Sequence, residues 1–370
     1  MDTTASAEND AGALAVRPPA PLPAAPIGGP APAVRAWFDD AAEALVPVLD
    51  GSFAAERAAA EAFQRMAKAD NTRVAYRAAV RAWCGWCERR GVPALPGAGA
   101  DVAAFLAAER GRGLAPNTID LRRAAIRHLH RAAGCPVPTD DVAVSETLAG
   151  IRREAARRGE LPRKKVAATA AILRQILAPI PADLRGLRDR AILLVGFAGA
   201  LRRAELAAIR AEHLEKTEHG LRLTLPQSKG SQTAAVVVPL PYGHTELCPV
   251  RALAAWLEAG SITAGPVFRR IWLPRKARAG EPPPLPRLGS QPITPWAVAA
   301  IVKERAGAAG FKGRDFGGHS LKRGALTTGM ERGVHPAQLK RLGRHKSFDV
   351  LGEYLAFGDL FENHPLSGVL

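Results

Sequence analysis

Gly318-His319-Ser320-Leu321-Lys322-Arg323-Gly324 is followed by Gly343-Arg344-His345, and Tyr354 stands nine residues after His345. Upstream lie Arg202, in Ala200-Leu201-Arg202-Arg203-Ala204-Glu205-Leu206, and Lys229, in Ser228-Lys229-Gly230. A tyrosine served by fixed cations and two histidines meets the needs of attack on a phosphodiester. The phenol is the nucleophile, and the cations hold the phosphoryl oxygens while charge builds on them.

The composition agrees with a polyanionic partner. The 370-residue chain is long enough for two domains, each with its own core. Its formal net charge is +16, which favours nucleic acid before an anionic membrane surface. Residues 1–50 hold two basic and seven acidic residues, which leaves +21 on the rest of the chain. The basic balance therefore belongs to the part that reads as folded. No uninterrupted apolar run reaches the ~20 residues of a membrane span. The N-terminus lacks the basic-then-apolar order of a secretory signal. A cytoplasmic, nucleoid-associated protein without membrane contact is expected.

Trp83-Cys84-Gly85-Trp86-Cys87 has the spacing of a redox pair, but that chemistry needs a preceding strand in a βαβ unit. Here Ala82, Trp83, Trp86 and Cys87 recur at helical spacing, and the two cysteines read as half-buried helix residues. Cys135 and Cys248 have no close partner in sequence, and no zinc pattern appears.

Residues 1–51 form an acidic, Ala/Pro-rich segment with seven prolines from Pro18 to Pro32. That composition predicts a disordered tail, since little apolar surface is there to offset ordering entropy. Residues 52–160 are helical throughout. The spacing predicts helices from Phe53 to Ala67, from Asn71 or Thr72 to Gly91, and from Asp101 to Arg110. A fourth starts after Pro116-Asn117-Thr118 and ends at Gly134, and a fifth runs from Val144 to Arg157. Asn71 or Thr72 serves as an N-cap, and the glycines as terminators. Residues 161–370 read as mainly helical with one β insert. Arg188 to Ile209 is helix, a turn at Gly199, then helix. Leu221–Leu225 alternates as a strand, and Thr233–Leu240 is its β-branched partner across the turn Gln227–Ser231. Residues 272–290 are Pro- and Arg-rich and read as a loop. Thr294-Pro295 opens a helix to Ala308, and His319 and Pro336 each lie near the start of another. The fold class is mainly α: a helical domain, then a mixed but mostly helical domain with a small β hairpin or sheet.

Two helices of the first domain carry basic stripes, Arg73, Arg77 and Arg81 on one and Arg123, Arg127 and Arg131 on the other. Four-residue spacing puts each trio on one face. The stripes lack interleaved acids, which favours a DNA-binding face over an ordinary solvated one. Arg152, Arg153, Arg157, Arg158, Arg163, Lys164 and Lys165 form a basic run leading into a linker over 159–166.

At these residues the sequence resembles the tyrosine recombinase family, the phage-integrase group of site-specific DNA recombinases, over about residues 55–370. The order Arg, Lys, His-x-x-Arg, His, Tyr is specific as a set and weak in any one piece. The resemblance implies a SAM-like core-binding domain over 52–160 and the family's catalytic domain over 161–370. It makes Tyr354 the nucleophile, forming a 3′-phosphotyrosyl link with a free 5′-hydroxyl, a transesterification that requires no ATP, metal or other cofactor. Arg202 matches the first arginine, whose planar fork suits bidentate contact with phosphate oxygens, and Glu205 reads as its brace. Lys229 resembles the general acid for the leaving 5′-oxygen. His319 and His345 would bond the phosphate or manage the tyrosine proton. Double-stranded DNA is the implied partner, bound by a homotetramer on paired sites. The reaction would be integration, excision or resolution, with room for accessory DNA-bending or directionality factors. The apolar tail after Tyr354 would either close on its own core or be exchanged with a neighbouring protomer.

The sequence departs from the family at one position. Three residues after His319 stands Lys322, where the family has its second arginine, with Arg323 next door. Lysine keeps the charge and loses the fixed fork. Helical phase assigns Lys322 to the arginine's place and turns Arg323 about 100° away, where it is left for DNA contact. The departure admits one rival, a DNA-binding relative with impaired catalysis. A second rival, a type IB topoisomerase-like enzyme, shares the tyrosine chemistry without exchanging partners.

Overall fold

In the computed structural model, residues 23–43, 51–66, 68–160, 165–225, 235–272 and 286–352 are described. The chain divides into two compact units, Met1–Pro162 and Arg163–Leu370. The described part of the first unit is helical: α1 Ala31–Ala41, α2 Phe53–Met66, α3 Asp70–Arg90, α4 Gly99–Gly111, α5 Pro116–Ala132 and α6 Val142–Arg157, with a 3-10 turn at Pro138–Asp140. Gly91 closes α3 at a left-handed φ of 68°. Pro116 opens α5, where its missing N–H would have no intrahelical acceptor. Asp141 caps α6 by accepting the Ala143 N–H at 2.8 Å. Asn71 and Thr72 do not cap α3: the helix begins earlier, after Ala69, without a side-chain cap.

The core of this unit is aromatic and aliphatic. Trp83, Phe105, Leu106, Ile119, Ile126 and Leu129 are buried. Trp83 stacks on Trp86 at 5.7 Å and meets Phe105 edge-on at 5.3 Å. Cys84 and Cys87 are fully buried and free. Burial pushes the Cys84 thiol up to about 12, and Cys87 also rises for the same reason, so neither offers a thiolate for redox work. His130 is buried too. Its Nε2 accepts the Gly97 N–H at 2.9 Å, so its Nδ1–H donates to the Ile126 carbonyl at 2.8 Å, and the ring is neutral.

The N-terminal segment corrects the expectation of a disordered tail through residue 51. Residues 31–41 form α1, with Val34, Trp37 and Phe38 buried in the same core. These residues recur at three and four positions, so one face of the helix is apolar. Pro30 precedes the helix and Pro32 lies in its first turn, where a missing N–H does no harm. The Trp37 indole N–H donates to the Pro23 carbonyl at 2.9 Å. A few aromatic contacts outweigh an unpromising average composition.

In the second unit the helices are α7 Ala170–Leu177, α8 Leu184–Ala198, α9 Arg203–Ala207, α10 Pro249–Ala259, α11 Pro295–Ala308, α12 Ser320–Glu331, α13 Pro336–Gly343 and α14 Phe348–Gly352. α8 is the spine. Ile192, Leu193, Leu194 and Val195 are buried in succession, so the helix is surrounded, and α10, α11 and α12 pack on it. Asp189 of α8 is completely buried. Its Oδ1 accepts Arg188 Nη2 at 2.8 Å and its Oδ2 accepts Arg305 Nη2 at 2.7 Å, tying α8 to α11.

Strands β1 Leu214–Thr217, β2 Gly220–Leu225 and β3 Val236–Pro241 form an antiparallel sheet in that order. Leu223 stands opposite Val238 and Leu221 opposite Leu240. Leu223, Leu225, Val238 and Leu240 are buried on one face. The reading of 272–290 as a loop fails at its end, where β5 Arg287–Pro292 pairs antiparallel with β4 Arg269–Trp272. Gly289 permits this, because a Cβ there would stand 2.5 Å from the Trp272 ring. A two-stranded ribbon with mostly exposed residues leaves no alternation in the sequence.

The chain entering this unit sets the height of α12. The Ala168 N–H donates to the Ser320 carbonyl at 2.9 Å. A Cβ on Gly324 would stand 1.8 Å from the Ala168 carbonyl oxygen, so only glycine allows this approach. Leu326 of α12, Leu339 of α13 and Leu351 of α14 form a small satellite core. Among the described residues, no helix is long and apolar enough to cross a membrane.

Candidate active site

Three short stretches of the second unit, far apart in sequence, converge. The first is the α8–α9 turn. Gly199 closes α8, and Ala200 follows at φ 44°. Arg202 is then the N-cap of α9. Its backbone N–H donates to Glu205 Oε2 at 2.8 Å and its Nη1 to Glu205 Oε1 at 2.7 Å. Glu205 is buried, so this is an enclosed brace and not a surface salt bridge. Burial pushes its carboxyl up, but the Arg344 charge, the hydrogen bonds from Arg202 and the Arg202 charge outweigh that and hold it below the usual carboxylate range.

The second stretch is the start of α12. His319 is its N-cap and is exposed, while Lys322, one turn in, has no exposed surface. The Lys322 ammonium donates to the Gly343 carbonyl. Burial, then the Arg202 and Arg344 charges, bring its pKa down from 10.5 to about 7, against the pull of Glu205. Arg323 turns elsewhere, its Nη1 donating to the Lys165 carbonyl at 2.9 Å. The structure thus brings Lys322 into the cluster and leaves Arg323 outside it. Arg203 also faces away, its guanidinium 4.4 Å over the exposed Trp296 ring.

The third stretch is the end of α13. Gly343 receives Lys322, Arg344 reaches Glu205 at 2.9 Å, and His345 follows, buried. Burial, then the charges of Lys322, Arg202 and Arg344, lower the His345 pKa to about 4, so its imidazole is neutral near pH 7. Lys229 and Tyr354 lie outside the described residues. Sequence reasoning assigned no role to Arg344. The signal available was an arginine immediately before the motif histidine, but only the fold shows its partners. Among the described residues, no group of His, Cys, Asp or Glu could hold a metal ion.

The basic stripes have partners, most of them outside the helix that carries the stripe. Arg77 donates to the Asp39 carbonyl at 2.8 Å, and Arg81 pairs with the Asp39 carboxylate at 2.9 Å, both reaching α1. Arg73 donates to the Lys68 carbonyl at 2.7 Å. Arg123 pairs with Asp120 at 2.9 Å and Arg127 with Asp140 at 3.1 Å. Arg131 lines a cavity of about 500 Å³ with Tyr76 and His128. Several of these arginines are therefore part of the fold, and Asp39 and Asp140 from neighbouring elements, with Asp120 of α5 itself, temper their charge.

A helical domain is thus followed by a mostly helical unit in which a braced arginine, a buried lysine and a buried histidine gather at one place. Residues 52–134 match the phage integrase N-terminal SAM-like domain. The chain is 33% identical over 321 residues to an integrase/recombinase XerD homolog of Selenomonas ruminantium, covering 84% of this chain and 89% of the relative. It is 25% identical over 284 residues to recombinase Cre of Escherichia phage P1, covering 74% and 80%. In fold it is similar to XerH site-specific recombinase bound to a palindromic difH substrate, with a TM-score of 0.59 and 13% identity over 91% of this chain and 96% of that one. The chain belongs to the tyrosine recombinase family, whose members are site-specific DNA strand-transferring enzymes.

Proposed function

We propose that this protein cleaves and rejoins duplex DNA at specific sites through Tyr354. The phenolic oxygen attacks the scissile phosphorus, forming a 3′-phosphotyrosyl bond as the bond to the 5′-oxygen breaks. Arg202 and Lys322 hold the non-bridging oxygens as charge builds there. Lys229 gives its proton to the leaving 5′-oxygen. His345, neutral near pH 7, accepts or shares the tyrosine proton, and exposed His319 bonds the phosphate. The observation that carries the reading is Lys322, completely buried yet set among Arg202, Arg344 and His345. A lysine held in such a place, beside two like charges, keeps its proton only in part until an anion arrives to favour the ammonium. The affinity for DNA rests on phosphate contacts, including those of Arg73, Arg77, Arg81, Arg123, Arg127, Arg131 and Arg323, and falls with salt.

Relatives in fold support the partner and the assembly: one is a lambda integrase tetramer bound to a Holliday junction. A tetramer on paired sites fits that pattern, and we propose in addition that it acts in the cytoplasm with accessory DNA-bending or directionality factors. Lysine in place of an arginine fork favours a second reading, a DNA-binding relative with impaired catalysis. One experiment separates them. Nicked suicide fragments of the source genome are incubated with the protein, covalent adducts are trapped under denaturing conditions, and Tyr354→Phe is the control. An adduct that the control loses supports the reading and identifies the cleavage site. Salt-sensitive binding without an adduct refutes it in favour of the impaired relative. Relaxation of supercoils without recombinant product between two sites would assign the topoisomerase-like activity.

A further inference from the structure

One guanidinium, that of Arg344, gathers acceptors from three parts of the catalytic unit. Its Nη1 donates to the Gly199 carbonyl at 3.0 Å and to the Leu342 carbonyl at 3.1 Å. Its Nη2 donates to the Ala200 carbonyl at 2.9 Å and to Glu205 Oε2 at 2.9 Å. The side chain is 10% exposed, so its fork is engaged by the protein and not offered to DNA. Arg344 ends α13 at φ 53°, and Ala200 turns between α8 and α9 at φ 44°. Non-glycine residues rarely adopt either conformation, and the guanidinium joins the two.

The neighbours of Arg344 make this junction consequential. Gly343 receives the Lys322 ammonium, and His345 follows in the chain. Through Glu205, Arg344 touches the carboxylate that holds both the backbone and the guanidinium of Arg202. Gly343 and Arg344 thus contact α12 and α9, in the stretch of sequence that precedes Tyr354.

We propose that Arg344 is a positioning residue, a latch that sets the guanidinium of Arg202 in its catalytic posture only when the segment leading to Tyr354 is seated. The latch rests on the assignment of Arg202 to the scissile phosphate. It makes the approach of the nucleophile and the readiness of the first cation one event. Lysine cannot replace Arg344, because a single ammonium does not span carbonyls and a carboxylate in one plane.

The test uses the full chain with Arg344→Met and Arg344→Lys. On a suicide DNA that gives a Tyr354-dependent adduct, Arg344→Met should slow single-turnover adduct formation on the order of 100-fold, the scale of a misplaced catalytic group. DNA affinity should stay within about threefold, since the residue does not contact the ligand. Arg344→Lys should recover little. In an Arg202→Ala background, Arg344→Met should add no further loss, because its effect runs through Arg202. Losses that multiply in the double variant, or that follow a lowered Tm, overturn the latch. If the wild-type protein forms no adduct, the catalytic reading fails and amide exchange decides the latch alone. Exchange at 199–205 and at 343–352 should then rise together in Arg344→Met. Unchanged exchange at 199–205 overturns the inference.

Discussion

Replacing Lys322 by methionine should stabilise the free protein while abolishing strand cleavage. Lys322 has no exposed surface, and its pKa falls from 10.5 to about 7. That shift corresponds to on the order of 5 kcal/mol against the ammonium in the folded state. Methionine has similar length, fills the same space and removes the penalty. It gives up the hydrogen bond to the Gly343 carbonyl, roughly 1–3 kcal/mol for a charged donor. The net gain is about 2–4 kcal/mol. The sign follows from proton linkage. Between pH 7 and 10.5 the unfolded chain holds the Lys322 proton and the folded chain does not, so wild-type stability rises with pH there. The advantage of Lys322→Met is therefore full below about 7 and fades as pH approaches 10.5. Urea unfolding of the full chain across this range, with amide exchange of α8 and α12 identifying the transition of the catalytic unit, measures it. A Lys322→Met protein that is less stable than wild type below pH 7, or equally advantaged at all pH values, would refute the reasoning.

Three further outcomes follow from other sites. Gly324→Ala places a methyl 1.8 Å from the Ala168 carbonyl oxygen, so α12 must shift; we expect a loss above about 2 kcal/mol and reduced adduct formation, read by urea unfolding and the suicide assay together. His130 is buried and neutral, its pKa lowered chiefly by burial against the weaker opposing bond to Ile126; the first unit should lose stability as pH falls below 6.5, because the unfolded chain then binds a proton the folded one refuses. His130→Gln, tested by thermal unfolding against pH, should flatten that acid limb. Arg305→Leu removes one of two arginines from the fully buried Asp189 and should cost about 3–5 kcal/mol, with Asp189→Asn in the same chain recovering part of it.

Legibility differed by element for physical reasons. α3, α5, α6 and α11 were readable because long helices show their apolar spacing over several turns, even where, as at the start of α3 and α5, no side chain caps them. α1 was not, since its three buried aromatic and aliphatic residues sit in a segment whose average composition is that of a tail. β1 and the β4–β5 ribbon were missed because four- to six-residue strands with exposed faces have no alternation to detect. In the candidate site, Arg202, His319, Lys322 and His345 were found by order and spacing, and Glu205 by its place one turn from Arg202. Arg344 had no assigned role, because three of its four acceptors, on Gly199, Ala200 and Glu205, lie far away in the chain.

Residue order alone carried the family, the sequence of the candidate site residues and the helical phase that separates Lys322 from Arg323. Each of these is local: a spacing along one helix, or residues read in order. Only the tertiary structure decided that Lys322 is dry and held near neutrality, that Glu205 stands between two arginines, and that Asp39 draws Arg77 and Arg81 into the fold. Charge states and pairings depend on which distant residues exclude water from one another, and linear spacing does not carry that.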